Sequence, residues 1–247
     1  MRFIKKFIKH IIYGNKCDSE TYIKFLKKRG CKIGNHVTIY APENTVIDLT
    51  RPFLIEVGNN VEITSGCVIL THGYDWSVFK TLYGDVMGSA GKVKIGNNVF
   101  VGVNTTILKD VIIGSNVVIG ANSLINKNIP DNVVVAGNPA KIICTIDEYY
   151  SKRKNLQLDE AYTIFISYKK AYSKIPPIDI FYEFFWIFEN DINNRKFYNI
   201  KFQEMMELGG TFNKSYEKYM LERRLFDSYD SFIEYCIFRE RNENKTI

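Results

Sequence analysis

Between residues 31 and 145 the chain repeats every six residues. Ile95, Val101, Ile107, Ile113, Ile119 and Ile125 stand six apart, and so do Val57, Ile63 and Ile69. Glycines follow many of the aliphatic positions, at Gly34, Gly58, Gly96, Gly102, Gly114 and Gly120. Four residues after the aliphatic comes a small or β-branched side chain, as at Val61, Cys67, Val99, Thr105, Val111, Val117 and Ser123. A helix would repeat every 3.6 residues and a simple strand every two, so neither produces this pattern. A fixed period of six marks a parallel β-helix. Each unit supplies one flat side of a prism. The branched aliphatic points to the crowded axis, and glycine suits the corner.

The phase breaks twice. Thr45 and Arg51 stand where aliphatics belong, so the coil across residues 44–56 is expected to be irregular. The repeat then stops after Ile69 and resumes out of phase at Ile95. Residues 73–92 are therefore expected to leave the prism as a loop of about twenty residues. Loops of that length are usually functional or disordered.

The units Ile95-Gly-Asn-Asn-Val-Phe100, Val101-Gly-Val-Asn-Thr-Thr106, Ile113-Gly-Ser-Asn-Val-Val118 and Ile119-Gly-Ala-Asn-Ser-Leu124 resemble those of the hexapeptide-repeat acyltransferases. The closing segment Val133-Val-Val-Ala-Gly-Asn-Pro-Ala-Lys141 does too. Within that family the resemblance is best to sugar and polysaccharide O-acetyltransferases. It covers roughly 115 of the 247 residues. It implies a mainly β fold, a left-handed parallel β-helix with about three hexapeptides per coil. It also implies acetyl-CoA as co-substrate and a homotrimer with active sites between subunits.

The flanks read as helical. Residues 1–30 carry apolar side chains at i, i+4 spacing (Phe3, Phe7, Ile11 and Ile4, Ile8, Ile12), with Lys5, Lys6 and Lys9 largely off the stripe. Gly14-Asn15 breaks this helix, Asp18 caps a second, and Gly30 stops it. Such a basic stripe can lie on a membrane surface. Packing on the rest of the protein is the commoner fate and the one expected here. Residues 146–247 hold roughly two thirds of the aromatics, with few glycines and helical apolar spacing. Helices are expected over about 148–174, 178–189, 196–208 and 214–241. So many aromatics must be buried. The domain expectation is thus 1–30 N-terminal helices, 31–145 β-helix and 146–247 a C-terminal α-helical region. The first and last of these are expected to pack as one helical unit.

Acetyl transfer to an alcohol needs a base for the hydroxyl proton, donors for the oxyanion, and two substrates held together. Three histidines exist: His10, His36 and His72. His72 sits in Ile69-Leu-Thr-His-Gly73, where the chain leaves the prism. Enzymes resembling this one place their catalytic histidine at that exit, and an imidazole suits proton transfer near neutrality. The alternative is a structural histidine at a loop hinge. Three further residues are acceptor-binding candidates. Asp75 could orient an imidazole or hold an acceptor hydroxyl, or merely anchor the loop. Trp76 could stack on a sugar ring or be buried. Asp48 precedes the irregular coil, near where resembling enzymes place an acidic or amide residue on the acceptor.

For the acyl donor, the resemblance implies Phe100 beside the coenzyme arm, where tryptophan is common. It implies close backbone approach of the pantetheine at Gly102, Gly120 and Ala121, and phosphate contacts from Lys127 and Lys141. The turn at residues 138–140 would close the groove. Cys67 occupies an inward slot of its repeat, so a structural thiol and direct transfer are expected rather than an acyl-enzyme.

Net charge is +6, from 33 basic and 27 acidic residues scattered without long runs, so no nucleic-acid partner is implied. Five cysteines at wide spacings form no CxxC pair, which suggests free thiols in a reducing compartment. No apolar stretch approaches the roughly 18 residues of a membrane span, and no export signal is legible. A cytoplasmic location follows as the expectation, with the inner membrane face as a variant of it. A three-histidine metal site for carbon dioxide hydration is disfavoured because His10 lies outside the repeats, so no metal is expected. N-acetylation of an amino sugar and a non-catalytic binding scaffold remain alternatives to O-acetylation.

Overall fold

A computed structural model describes residues 2–190, 192–193 and 195–243. Two compact units emerge, Met1–Tyr150 and Ser151–Ile247.

The first unit is a left-handed parallel β-helix. Its three sheets are the sides of the prism. One stacks Lys32–Ile33, Ile55–Val57, Val93–Ile95 and Val111–Ile113. The second stacks Thr38–Ile39, Val61–Ile63, Val99–Val101, Val117–Ile119 and Val133–Ala136, and Lys141–Thr145 joins its end antiparallel. The third stacks Val46–Ile47, Val68–Ile69, Thr106–Ile107 and Leu124–Ile125. Register gives the coil length directly. Lys94 pairs with Ile112 and Phe100 with Val118, a step of 18 residues, or three hexapeptides. Glu56 pairs with Lys94 and Glu62 with Phe100, a step of 38. The difference, 38 − 18 = 20 residues, is the loop expected from the phase break. The irregular first coil is also present, with short 3-10 turns at Pro42–Asn44 and Pro52–Leu54 and Thr45 fully buried.

Both inward positions of each repeat are buried. Ile95, Val101, Ile107, Ile113, Ile119 and Ile125 fill the axis together with Val99, Thr105, Val111, Val117 and Ser123. The corners are held by a ladder of asparagines in left-handed conformation. Asn60 donates to Asn98, Asn98 to Asn116 and Asn116 to Asn132, at 3.1, 2.9 and 2.8 Å. Asparagine tolerates positive φ, and its side-chain amide donates and accepts along the stack. The glycines answer to a different constraint. A Cβ on Gly96 would stand 2.5 Å from the carbonyl oxygen of Gly114 in the next coil. Backbone cannot yield as a flexible side chain can. Gly96→Ala is therefore expected to destabilise the prism by about 2 kcal/mol. That corresponds to a fall in Tm of about 4–8 °C, checked by thermal denaturation.

Two helices precede the prism: α1, Arg2–Tyr13, and α2, Ser19–Arg29. Asp18 caps α2 by accepting from the Thr21 amide at 2.8 Å, and Gly30 ends it at φ 109°. Tyr22 and Leu26 of α2 are buried in the same apolar cluster as the axis residues, and Ser19 Oγ accepts from the Ile39 amide. α2 therefore closes the open first coil. This corrects the expectation that the first thirty residues join the C-terminal region, because the end of a β-helix exposes apolar surface that needs a cover. Part of the α1 stripe also departs from expectation: Ile8, Ile11 and Ile12 are 49, 68 and 65% exposed and belong to neither apolar cluster.

The twenty-residue excursion carries α3, Trp76–Tyr83. Its ends are zipped by the Gly73 amide to Ser89 and the Gly91 amide to Thr71, around a His72–Ala90 bridge.

The helix α4, Ile146–Tyr172, begins with a reciprocal cap. The Thr145 amide donates to Glu148, and the Glu148 amide donates to the Thr145 hydroxyl. The divide between units falls inside this helix, five residues beyond the boundary read from composition. The second unit continues through α5 (Ile200–Glu207), α6 (Phe212–Leu221) and α7 (Tyr229–Glu243). Its core is aromatic, with Phe165, Phe181, Phe185, Phe188, Phe197, Phe202 and Phe232 buried. Three expected helix spans need correction. Residues 178–189 form two 3-10 turns instead, Ile178–Phe181 and Phe185–Ile187. The helix is interrupted at Phe184, whose φ of −112° and ψ of 4° leave the helical region, while Phe181, Phe185 and Phe188 keep one face buried at i, i+4, i+7 spacing. Residues 196–199 form a short strand and cap before α5. The 214–241 span is broken into α6 and α7, with Ser228 and Ser231 making reciprocal hydrogen bonds at the start of α7.

Candidate active site

His72 stands at the corner after the third sheet, where the excursion leaves. Its Nδ1 lies 2.5 Å from Asp48 Oδ2. Asp48 follows Ile47 of the coil below and is held inside the prism, its side chain 3% exposed against 13% for His72. Five donors converge on this carboxylate. Oδ1 accepts from the Thr50 amide at 2.9 Å and the Thr50 hydroxyl at 2.7 Å. Oδ2 accepts from the Thr71 amide at 2.9 Å, the Thr71 hydroxyl, and His72. Burial alone would raise the Asp48 pKa. The hydrogen bonds from Thr71 and Thr50 outweigh it and hold the carboxyl well below the usual carboxylate range.

This arrangement fixes the imidazole tautomer. Thr50 Oγ lies 3.1 Å from Nδ1, but its proton is already given to Asp48. Both oxygens near Nδ1 are therefore acceptors, so Nδ1 carries the hydrogen. In the neutral ring Nε2 is then the unprotonated nitrogen. Tyr74 packs on the ring, centroids 4.4 Å apart, and Trp76 meets Tyr74 edge-on at 6.3 Å.

These contacts revise two expectations. Asp48 is not poised toward an acceptor, because both its oxygens are spent on Thr50, Thr71 and His72. Asp75 does not orient the imidazole. It is exposed at the start of α3, and its side chain makes no capping bond there. Trp76 is half-buried. Sequence reasoning missed Thr50, Thr71 and Tyr74. The threonines flank the dyad at Asp48+2 and His72−1, a signal visible only once the two coils are stacked.

Phe100 lies on a different side of the prism, outward on the second sheet and 40% exposed. Gly102 and Gly120 have a structural explanation that the donor-site expectation overlooked. Their amides donate to Ile119 and Val135 in the inter-coil ladder, and a Cβ on Gly102 would meet Ala121 N at 2.5 Å. Their N–H groups are not available to a pantetheine arm. Ala121, Lys127 and Lys141 are exposed, and neither lysine makes an ion pair among the described residues. Asn138–Pro139 is cis, and the Ala140 amide after it donates to Leu124. Cys67 is fully buried, its thiol pushed up by burial and 3.3 Å from the Gly102 carbonyl. An inert structural thiol fits those surroundings. Among the described residues, no three His, Cys, Asp or Glu side chains gather to hold a metal.

Three-hexapeptide coils with a carboxylate–imidazole pair at the one long excursion define an acyltransferase of the parallel β-helix class. Comparison with known proteins agrees. The family described as bacterial transferase hexapeptide (six repeats) matches residues 92–127. Protein CapG of Staphylococcus aureus is 43% identical over 127 residues, covering 51% of this chain and 73% of that protein. The putative acetyltransferase YvoF of Bacillus subtilis (strain 168) is 38% identical over 107 residues, covering 43% of this chain and 57% of that one. Among solved structures, a maltose O-acetyltransferase from Clostridium difficile 630 is 25% identical with a TM-score of 0.39, covering 59% of this chain and 86% of that one. The chain belongs to the bacterial hexapeptide transferase family. The similarity to CapG and YvoF spans about half of this chain or less, and no helix among the described residues is long and apolar enough to cross a membrane.

Proposed function

We propose that the chain is an O-acetyltransferase that moves acetyl from acetyl-CoA directly to a hydroxyl of a sugar or polysaccharide, with His72 as general base. The observation that carries this reading is the Asp48–His72 pair, which leaves Nε2 as a free acceptor at neutral charge. An acceptor hydroxyl donates its proton to Nε2 as its oxygen attacks the thioester carbon. The C–O bond forms, and the carbonyl becomes an oxyanion. Collapse breaks the C–S bond, and the imidazolium returns its proton to the departing thiolate. Asp48, ionised throughout, stabilises that imidazolium, so the proton transfer creates no isolated buried charge.

The acetyl group follows from the named activity of the relative YvoF. Purified protein with acetyl-CoA and a panel of glycans, read by mass spectrometry, tests the whole reading. Acetyl ester on a sugar is expected. Acetylation confined to amino groups would convert the reading to an N-acetyltransferase. No transfer to any acceptor, with acetyl-CoA bound, would favour a scaffold.

Phe100 and His72 face different sides of one prism, which supports a homotrimer in which each site draws on two subunits. A monomer by light scattering at micromolar concentration would reject it. Lys127 and Lys141 are proposed to meet coenzyme phosphates. The Lys127→Ala, Lys141→Ala double variant is expected to raise KM for acetyl-CoA several-fold, with kcat changed less than twofold. Contacts remote from the carbonyl bind ground and transition states about equally. The effect should shrink in high salt, and a pure kcat defect would show the lysines to be misassigned.

A further inference from the structure

We propose that α1 is a membrane-surface helix, which docks the enzyme on an anionic lipid bilayer. The sequence of α1, Arg2–Tyr13, contains four basic residues, Arg2, Lys5, Lys6 and Lys9, and no acidic one. By helical spacing these gather on one arc, while Phe3, Ile4, Phe7, Ile8, Ile11 and Ile12 fill the other. The apolar arc has no cover where side chains are described. Ile8, Ile11 and Ile12 stand half to two-thirds exposed, and none belongs to either apolar core. Tyr22 and Leu26 of α2 already pack on the axis of the prism, and no described side chain of α1 belongs to that cluster.

The choice of occupant rests on charge. A protein groove would satisfy the aliphatic arc but has no general need of an unbroken cationic arc beside it. A bilayer interface satisfies both. The apolar arc sinks roughly 5–10 Å to the acyl boundary while the lysines reach up to lipid phosphates. At 12 residues, or about 18 Å, the helix is too short to span the hydrocarbon core and is sized to lie flat. His10 and Cys17 mark the hinge, with Nδ1 3.5 Å from Sγ and the Cys17 thiol buried beside α2. That contact tethers the helix at its C-terminal end, with Ile8, Ile11 and Ile12 left exposed. The inference is independent of the chemistry at His72. It places the site near a surface where a lipid-borne acceptor would be concentrated.

Cosedimentation of the full chain with vesicles tests it. Three proteins are compared: wild type, Ile8→Ser/Ile11→Ser/Ile12→Ser, and Lys5→Glu/Lys6→Glu/Lys9→Glu. Wild type is expected to bind phosphatidylcholine–phosphatidylglycerol vesicles at least about 10-fold more strongly than pure phosphatidylcholine. High salt should erase most of that preference. The serine variant should lose binding to both vesicle types, with an unchanged Tm because the three isoleucines support no core. The glutamate variant should lose only the preference for anionic lipid. Equal binding by wild type and the serine variant would overturn the proposal. So would a change in oligomeric mass of the serine variant by light scattering, since α1 would then be covered by a second copy of the chain.

Discussion

His72→Ala is expected to lower turnover at least about 100-fold while leaving the fold and acetyl-CoA binding nearly intact. The side chain is partly exposed at a corner of the prism and belongs to no apolar cluster, so its loss opens no cavity in the axis. Backbone bonds on either side of it stay in place, from the Leu70 amide to Ile107 in the next coil and from the Gly91 amide to Thr71 across the ends of the excursion. What disappears is the acceptor for the hydroxyl proton. The assay is acceptor-dependent release of coenzyme A, using whichever sugar the glycan panel identifies. With the imidazole as the proposed base at the reacting hydroxyl, kcat and kcat/KM should fall together. Turnover within a few-fold of wild type would eliminate the mechanism. Unaltered KM for acetyl-CoA alongside the loss would separate a missing base from a damaged donor site.

The prism was legible because its physics is local in sequence. One inward aliphatic per six residues is written directly at Ile95, Val101, Ile107, Ile113, Ile119 and Ile125. Phase alone also gave the twenty-residue excursion. His72 could be singled out because it stands where the phase is lost and because resembling enzymes place their catalytic histidine at that exit. Its partner could not. Asp48 and His72 are 24 residues apart, and their meeting depends on the stretch between them, lengthened by the proline-led 3-10 turn Pro52–Leu54. That irregularity was visible, but its effect on register was not. Asp75, nearer in sequence, therefore looked the better candidate. The glycines misled in another way. Gly102 and Gly120 looked like openings for a pantetheine arm, yet they are small because the next coil presses on them. In the second unit, helical spacing of aromatics was real over α4 and α7. Over 178–189 the face of Phe181, Phe185 and Phe188 is buried as the spacing implies, but the backbone leaves the helical region at Phe184. The later turns of α1 show the converse error, a strong pattern assigned the commoner fate where Ile8, Ile11 and Ile12 stand exposed.

Asp48→Asn should cost more than its nearly identical shape suggests. Five donors meet the carboxylate, while an asparagine offers one oxygen and an NH2 group that itself donates. If the amide oxygen serves Thr71 and His72, its NH2 faces the Thr50 amide. If it serves Thr50, the NH2 faces the Thr71 amide and turns Nδ1 into an acceptor, which puts the proton on Nε2 and abolishes the base. Either arrangement leaves a buried donor unsatisfied, at about 1–3 kcal/mol. Both also remove the charge that stabilises the imidazolium. Turnover is therefore expected to fall about 10²–10⁴-fold, by analogy with aspartates that orient catalytic histidines elsewhere. Stability should fall as well, and its pH dependence carries a sign. The Asp48 pKa is depressed in the folded protein, so the carboxylate's contribution is fully present above the unfolded value near 3.9 and fades as pH falls through the folded value. The difference in unfolding free energy between wild type and Asp48→Asn should therefore narrow as pH falls below about pH 4. Denaturant unfolding at several pH values measures it. A difference that did not narrow at low pH would mean that Asp48 is not held ionised in the folded protein. A variant with normal turnover would mean that the imidazole needs no carboxylate to hold its tautomer, because Thr50 and the packing of Tyr74 suffice.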